Sequence, residues 1–345
     1  MKFKLHSLII PLTFIACTLI LWSCNGKNSK NNRQGINIDP ALADSVKKAK
    51  LQKNNIIDKH LTWSAMHLQG HVKSISVKQY GITMVGGKEE RKLKSRKDNI
   101  FDSLGRLVEF TYYKTNGKFD LKTRISYDAK GNDTMAYVYN EADKIDFKKI
   151  TKYDGRGNEV ERITYKADGK IHNHSLYHYD DSDHLVGTEY YDDKAILQKK
   201  GTYKYDSNEY KSESFLIDSA GRQGNKATYK YDENGNLPEI IYYKFDESVD
   251  NKLLSRFDKK GNAVEIISYS ADGVAQSRNT YKYDDKNNTT QADFYKPDGS
   301  HDETKTIWYE YEYDKTGNAV KKSIFVVKDG KRVPFEVIES EISYY

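Results

Sequence analysis

The stretch Phe101-Asp102-Ser103-Leu104-Gly105-Arg106-Leu107 decides the fold, because its aromatic-Asp pair recurs along the chain. The first eight pairs are spaced 26 residues apart without exception, and the last step is 30 residues. A glycine follows four residues after the aromatic in six repeats, and Asp183, Glu209 or Asn287 fills that position in the other three. A fixed period of this kind is the signature of a repeat architecture. The pairs are Phe101-Asp102, Tyr127-Asp128, Tyr153-Asp154, Tyr179-Asp180, Tyr205-Asp206, Tyr231-Asp232, Phe257-Asp258, Tyr283-Asp284 and Tyr313-Asp314.

Each repeat encodes a β-hairpin. The Asp after the aromatic can bond the backbone two residues further on and start a turn, and the glycine supplies the positive φ that closes it. Half a repeat later, Asn-Gly or Asp-Gly between apolar-rich segments is a strong signal for a second turn. These second turns lie at Asn116-Gly117, Asp168-Gly169, Asp272-Gly273 and Asp298-Gly299. Two strands per repeat predict roughly 18–20 antiparallel strands in chain order.

The fold class predicted for residues 72–345 is all-β, a long antiparallel up-and-down meander of 26-residue β-hairpin repeats. Neighbouring strands twist by about 20–25°, and open sheets rarely exceed about 10 strands without curling. We therefore expect an elongated sheet that is twisted or spiralling, with aromatic residues lining its inner face.

The pattern Tyr-Asp-x-x-Gly-Asn/Arg, with aromatic-rich strands between, resembles the YD or RHS repeats of bacterial surface proteins over about Val72 to Tyr345. The chain is also similar to short lipid-anchored repeat proteins of Bacteroides-like bacteria, which implies a sugar-binding role. Large RHS proteins curl such repeats into a shell around a toxin. This sequence lacks their length and their C-terminal autocleavage region, so the resemblance implies the repeat fold without a toxin cargo.

The first 23 residues are typical of a lipoprotein signal peptide. Lys2 and Lys4 precede an apolar run from Leu8 to Leu21, which is shorter than the about 20 residues of a membrane-spanning helix. The run ends in Leu21-Trp22-Ser23-Cys24, which resembles the bacterial lipobox and implies cleavage before Cys24 and acylation of it, with palmitate-type chains holding the protein to the bilayer. The alternative is a cleaved secretory peptide with a chance cysteine. Cys17 leaves with the signal, so no disulfide is expected.

Residues 24–38 are polar and are expected to form a tether. Residues 39–71 are expected to be a short helical and capping segment, with Asp39 as the N-cap of a helix from Pro40 to about Gln52. Its expected role is to cover the open end of the repeat array.

Charge and composition argue against nucleic acid as a partner. Loss of Lys2 and Lys4 lowers the formal net charge from +6 to +4, and the chain has no long basic block. Nucleic-acid-binding domains concentrate their charge on one face. The 28 Tyr, 12 Phe and 31% charged residues suit half-exposed strands instead.

The repeat period converts each position into a row across the sheet, and two rows are aromatic. One is the row of turn aromatics, and the other lies on the partner strand. Two interpretations of these rows are open: the core of a thin sheet, or an exposed strip on which sugars stack. The tentative ligand surface consists of Tyr139, Tyr165, Tyr191, Tyr243 and Tyr269.

Two further rows are basic and one is acidic. The basic rows lie five residues and one residue before the turn aromatic, as at Lys226 and Lys230, on the face opposite the turn aromatics. The acidic row follows the turn, as at Glu213 and Glu239. A solvated face with cross-strand ion pairs is the simpler interpretation, and a positive stripe for anionic glycans or acidic partners is the alternative. Periodicity leaves open whether the two kinds of row share a face, because a β-bulge would change it.

No metal site, cofactor site or catalytic residue is predicted. His172, His174, His178 and His184 could share a metal, but His174 and His178 occupy basic-row positions. The repeated Asp residues lack the pattern of a calcium-binding loop and are interpreted as turn caps. The sequence has no nucleophile elbow, zinc-protease motif or phosphate-binding loop.

We therefore expect a non-enzymatic binding or scaffolding module of the cell envelope, with carbohydrate as the first ligand class and an envelope protein as the next. The alternatives are a glycan-cleaving enzyme with carboxylates on the curled face and a purely structural spacer. Asn25 after Cys24, by analogy with Gram-negative sorting, favours the outer membrane. The lack of an acidic run after Cys24 favours its periplasmic leaflet.

Overall fold

The computed structural model describes residues 62–345, in which twenty β-strands and one short 3-10 helix, Glu303–Lys305, are found. The predicted all-β, up-and-down antiparallel meander is confirmed. The strands are β1 (Val72–Val85), β2 (Lys88–Phe101), β3 (Leu107–Tyr113), β4 (Phe119–Tyr127), β5 (Asp133–Tyr139), β6 (Ile145–Tyr153), β7 (Glu159–Lys166), β8 (Ile171–Tyr179), β9 (Leu185–Tyr191), β10 (Leu197–Tyr205), β11 (Lys211–Asp218), β12 (Gln223–Lys230), β13 (Glu239–Tyr243), β14 (Val249–Phe257), β15 (Ala263–Ser270), β16 (Ala275–Tyr283), β17 (Thr289–Tyr295), β18 (Ile307–Tyr313), β19 (Ala319–Lys328) and β20 (Lys331–Tyr344).

The sheet closes on itself. Each strand pairs antiparallel with its neighbours in chain order, and β1 also pairs with β20 through Ile75 opposite Ile342 and Val77 opposite Ser340. The expected spiralling sheet with an open end is corrected by this pairing, since within residues 62–345 both terminal strands are hydrogen-bonded on both sides. The physical reason is that an unpaired edge leaves a row of N–H and C=O groups unsatisfied, and both strands are 14 residues long.

The repeated Asp residues cap the turns, as the sequence predicts. Asp128 Oδ1 accepts hydrogen bonds from the backbone N–H groups of Lys130 (2.9 Å) and Asn132 (2.8 Å). Gly131 closes the turn with a φ of 89°. The repeats without glycine keep the positive φ, at Asp183 (64°), Glu209 (65°) and Asn287 (66°).

A β-bulge beside the turn sets which side chains share a face. Between β10 and β11 the register shifts after Lys204, so Lys204 lies opposite Glu213 and Tyr205 lies opposite Lys211. The same shift precedes other turn aromatics, including Tyr127, Tyr153, Tyr179 and Phe257. Because the bulge occurs at the same place in these repeats, a given repeat position faces the same side of the sheet in each of them.

The face that carries the turn aromatics is termed the inner face, and the opposite one the outer face. Most of the fully buried apolar side chains lie on the inner face, where Ile266 and Ala292 are 0% exposed. The inner-face core extends across β12 to β18, and its buried members are Ala227, Leu237, Ile240, Leu253, Ala263, Ile266, Tyr281, Ala292 and Tyr309.

The turn aromatics also hold successive repeats together. Their hydroxyls donate hydrogen bonds to a backbone carbonyl one repeat earlier, just beyond the preceding turn. These bonds run from Tyr127 to Leu107 (2.8 Å), from Tyr205 to Leu185 (3.1 Å) and from Tyr283 to Ala263 (2.7 Å). A tyrosine used in this way is structural, which supports the core interpretation for the row of turn aromatics.

The described part of the N-terminal segment, residues 62–71, lies over the junction of β1 and β20. The Trp63 indole N–H donates to the Val72 carbonyl at 2.6 Å. The backbone N–H of Gln69 donates to Asn318 Oδ1 at 2.7 Å, and Asn318 Nδ2 donates to the Gln69 carbonyl at 2.8 Å. The helix predicted from Pro40 to about Gln52 lies outside the described residues.

The last residue completes the junction. The backbone N–H of Tyr345 donates to the His71 carbonyl at 2.9 Å, and its hydroxyl donates to the Phe101 carbonyl at 2.6 Å.

Within residues 62–345 the structure contains no helix with the length and apolar character needed to span a membrane.

Candidate functional site

On the outer face, glutamates of the acidic row lie between two basic side chains. Glu239 Oε1 is 2.6 Å from Lys230 Nζ, and its Oε2 is 3.0 Å from Lys252 Nζ. Glu213 and Glu265 are held by two cations in the same way. The bulge therefore places the acidic row on the same face as both basic rows, which answers the question that periodicity left open.

These ion pairs neutralise much of the basic stripe. The Lys230 ammonium, by its hydrogen bond, is the main cause that lowers the pKa of Glu239, so this carboxylate stays ionised. Lys230 is 73% exposed, and exposed pairs of this kind contribute little to stability. The outer face thus matches a solvated face with cross-strand pairs, and it presents little uncompensated positive charge to an anionic ligand.

The tentative ligand-surface tyrosines also lie on the outer face, and all are half-buried. Lys122 Nζ is 4.9 Å from the ring centroid of Tyr139, and Lys226 Nζ is 5.3 Å from that of Tyr243. A cation over an aromatic face is an attractive contact, and it helps to fix the position of the ring. In register order, Tyr139, Tyr165, Tyr191, Tyr243 and Tyr269 lie opposite Lys122, Lys148, His174, Lys226 and Lys252.

The clustered histidines have separate partners. His174 Nε2 is 2.9 Å from Glu161 Oε1, as expected for a member of the basic row. His184 Nδ1 is 3.2 Å from Asp180 Oδ2, and its ring stacks on Tyr205 with centroids 4.3 Å apart. Within residues 62–345, no group of three or more His, Cys, Asp or Glu side chains is arranged to hold a metal ion.

On the inner face, Lys211 is surrounded by aromatic rings. Its Nζ lies 4.7 Å from the ring centroid of Tyr229 and 5.8 Å from that of Tyr203. The Tyr229 hydroxyl is 2.9 Å from Ser214 Oγ, which fixes the ring. Burial lowers the pKa of Lys211, and no carboxylate of the described chain acts to raise it.

A second inner-face lysine lies towards the other end of β10. Lys199 is opposite Tyr190, and burial lowers the pKa of its ammonium too. Between the two lysines, Tyr203 leans over Gly201, where an added Cβ would come within 2.8 Å of the tyrosine hydroxyl. The inner face of β9 to β12 therefore carries a lysine-tyrosine strip, defined as Tyr190, Lys199, Tyr203, Lys211 and Tyr229.

The sequence contains a signal for this strip that the aromatic and basic rows do not include. Lys211 lies six residues after the turn aromatic Tyr205, at a position held by leucine or alanine in several other repeats: Leu107, Leu185, Leu237 and Ala263. Leu107 and Ala263 are fully buried. Asp133 and Glu159 hold the same position in two further repeats, so Lys211 is the one lysine at an inward position that is elsewhere apolar, acidic or threonine.

The inner face also carries a mixed group of charges on β5 to β7. Arg162 Nη2 donates to Glu159 Oε2 at 2.5 Å, the Tyr153 hydroxyl donates to Asp133, and Lys149 Nζ is 3.7 Å from Asp133 Oδ2. Burial is the main cause that raises the pKa of Glu159 and lowers that of Lys149. The side chains of Lys149 and Asp133 are nevertheless 29% and 23% exposed, so solvent reaches the inner face.

No protein-family model matches the chain, and no curated protein sequence matches it. Among solved structures, a porin-like protein from Bacteroides uniformis is 12% identical, with 79% of this chain and 98% of that one covered and a TM-score of 0.36. The TcdB2-TccC3-Cdc42 structure is 16% identical, with 75% and 14% covered and a TM-score of 0.37. A DUF1329 family protein from Desulfovibrio piger is 10% identical, with 88% and 92% covered and a TM-score of 0.21. All three likenesses are at low identity and low TM-score.

Proposed function

We propose that the chain is a membrane-anchored envelope lipoprotein that acts as a non-enzymatic binding module, with carbohydrate as its ligand class. The observation that carries the proposal is the inner face of β5 to β12, which carries charged side chains and the lysine-tyrosine strip and is partly exposed at Lys149 and Asp133. An inner face that served only as a core would instead be filled by apolar side chains at high packing density.

The number of strands supports a sheet wide enough to hold a ligand. Closed sheets of about 8 strands are filled by their own side chains, whereas those of about 16–18 strands leave an aqueous channel. A closed sheet of 20 strands belongs to the wider class. The partial exposure of Lys149 and Asp133 supports the same conclusion.

Carbohydrate is the ligand class that best fits tyrosine. Its ring offers an apolar surface and its hydroxyl a hydrogen-bonding tip, which matches the apolar faces and polar edges of a sugar ring. Within the lysine-tyrosine strip the Tyr203 hydroxyl is 3.4 Å from Thr188 Oγ1, a long contact that a ligand hydroxyl could replace. The outer tyrosine row stays a competing surface, since its rings, such as those of Tyr139 and Tyr243, also lie beside lysines.

Two alternatives are kept. The inner carboxyl groups of Asp133 and Glu159 give a specific reason to consider a glycan-cleaving enzyme, because their environments differ. Asp133 is engaged by Tyr153 and Lys149, whereas burial raises the pKa of Glu159. Pairs of carboxyl groups in different environments perform glycoside hydrolysis. A purely structural envelope spacer is the second alternative.

The test is a binding screen of the full chain, purified in detergent, against neutral and acidic envelope and dietary glycans. We expect a hit that is lost in Tyr229→Leu, on the inner face, and kept in Tyr243→Leu, on the outer face, with the β circular-dichroism spectrum unchanged in both. The reverse pattern would move the site to the outer tyrosine row. Release of shorter products from a bound glycan would favour the enzyme, and no binding to any glycan would favour a protein partner or a spacer.

The proposed anchor is tested separately. Cys24 lies outside the described residues, and its acylation is proposed from the lipobox alone. In cells, Cys24→Ala should move the protein from the outer-membrane fraction to the soluble fraction. A variant that still pellets with the outer membrane would show that anchoring does not depend on Cys24.

A further inference from the structure

We propose that the lysine-tyrosine strip selects an acidic glycan, one that carries carboxylate or sulfate groups, over a neutral one. This inference rests on the proposed function, because it names the chemical class of glycan that the inner face would take. It is based on two inner-face lysines: Lys211, which lies beside two aromatic rings, and Lys199, which is opposite Tyr190.

The charges of the strip are not balanced by the inner face itself. The inner carboxylates elsewhere are already engaged, Asp133 by Lys149 and Glu159 by Arg162. Lys211 has the rings of Tyr203 and Tyr229 as its neighbours instead. Burying a cation away from water without an anion is unfavourable, so an anionic ligand would relieve a cost that the folded protein carries.

Asp218 is directly opposite Lys199, but it is engaged elsewhere. Its carboxylate forms an ion pair with Arg222 at 2.7 Å and caps the turn that follows β11. Burial accounts for the lowered pKa of Lys199, with no contribution from Asp218. The Lys199 ammonium is therefore available to an incoming anion.

The spacing of the two lysines fits an extended chain. Lys199 and Tyr205, the residue opposite Lys211, are six residues apart on β10, which corresponds to roughly 20 Å at about 3.3 Å per residue. Tyr203 lies between them with its ring held over Gly201. A ligand on the strip would therefore meet a cation, an aromatic surface and a second cation in that order. This order suits an oligosaccharide whose acidic groups are spaced along the chain with a sugar ring between them.

The arrangement favours a glycan over a nucleic acid. Nucleic-acid affinity comes mainly from several phosphate contacts with Lys and Arg, whereas the strip offers two lysines. The outer basic rows add little to them, because several of their cations, such as Lys204, Lys230 and Arg256, pair with the acidic row. Charged groups in the strip thus serve selection among sugars, and the tyrosines provide the stacking surface.

The experiment compares a short oligogalacturonate with its methyl-esterified form, which has the same rings and no charge, by calorimetry on the full chain in detergent. A chondroitin sulfate oligosaccharide is the sulfated probe. We expect an acidic probe to bind about tenfold more tightly than the methyl ester, and Lys199→Met and Lys211→Met each to lose about tenfold of that affinity. Lys204→Met is the matched control, because Lys204 is on the same strand as Lys199, faces outward and is 73% exposed.

Each other outcome is decisive. Equal binding of the acidic oligomer and its methyl ester, unaffected by either inner lysine variant, would overturn the acidic selectivity and leave the proposed carbohydrate-binding function intact. Loss of binding in Lys204→Met but not in Lys211→Met would place the site on the outer face and refute the strip. Oligothymidylate and polyglutamate serve as polyanions without sugar acids. If they bound as tightly as the acidic glycans, the strip would attract polyanions in general and selection of an acidic glycan would be refuted. No binding of neutral or acidic glycans would refute the proposed function as well.

Discussion

Replacing Asp180 by alanine should destabilise the protein by about 1 kcal/mol at neutral pH. Asp180 Oδ1 accepts the backbone N–H groups of Ser182 and His184, both at 2.9 Å, and Oδ2 is 3.2 Å from His184 Nδ1. Loss of a comparable capping side chain costs about 0.5–2 kcal/mol. The Asp180 side chain is 39% exposed, so water replaces part of what is lost and the middle of that range applies.

The effect should depend on pH in a defined direction. Partial burial acts to raise the pKa of Asp180, but the hydrogen bonds from His184 and its charge outweigh it, so the pKa is lowered. A carboxyl group with a lowered pKa stabilises the fold above its unfolded pKa of about 3.9 and loses that contribution as the pH falls through its folded value. The difference between parent and Asp180→Ala should therefore be full at neutral pH and shrink in acid.

The adjacent residue provides the control. Asp181 is exposed and follows Asp180 directly, so Asp181→Ala changes the same formal charge without removing the cap. Urea denaturation followed by circular dichroism should show a lower midpoint for Asp180→Ala only, and thermal scans should show a drop of about 2 °C. Equal losses in the two variants would refute the capping argument, as would an Asp180→Ala difference that persists unchanged at acidic pH.

Three further changes test the core, the tyrosine bonds and the closure of the sheet, each measured by urea denaturation. Ile266→Ala, at a side chain that is 0% exposed, should cost about 3–4 kcal/mol, and a cost below 1 kcal/mol would mean that the inner face is not packed there. Tyr283→Phe removes the 2.7 Å bond to the Ala263 carbonyl and should cost about 1 kcal/mol, while an unchanged midpoint would show that the bond contributes nothing. Deletion of Tyr345, which bonds His71 and Phe101, should cost about 2 kcal/mol and speed proteolysis of β20; unaltered proteolysis would contradict its role in closure.

The strands and turns could be predicted from the sequence because the information is local. An Asp and a glycine at fixed spacing, as at Asp128 and Gly131, define a turn wherever they occur, and the 26-residue period repeats it. Glu209 stands where most repeats have glycine, and it still adopts a positive φ. The Asp cap and the flanking strands therefore impose the turn even without glycine. Closure is different, because Ile75 and Ile342 are far apart in the chain and no local signal pairs them.

The two faces were predictable only in part. The outer ion pairs depend on a one-residue bulge, and a shift of one residue moves a whole row to the other face. The repeat rows predict a ligand surface at tyrosines such as Tyr165 on the outer face, whereas the proposed strip depends on Lys199 and Lys211 on the inner face. Averaging over repeats describes what they share, and it hides a site formed by individual departures from the average, as at Lys211.

Closure of the sheet also means that the two ends of the strand array meet. Tyr345 bonds His71, and the twenty strands between them follow one another without a crossing connection. A ring of consecutive hairpins has no privileged starting strand. A short linker from Tyr345 to the segment before Val72, with new termini opened at the exposed turn beside Gly273, would therefore produce a circular permutant in which every strand keeps both of its neighbours.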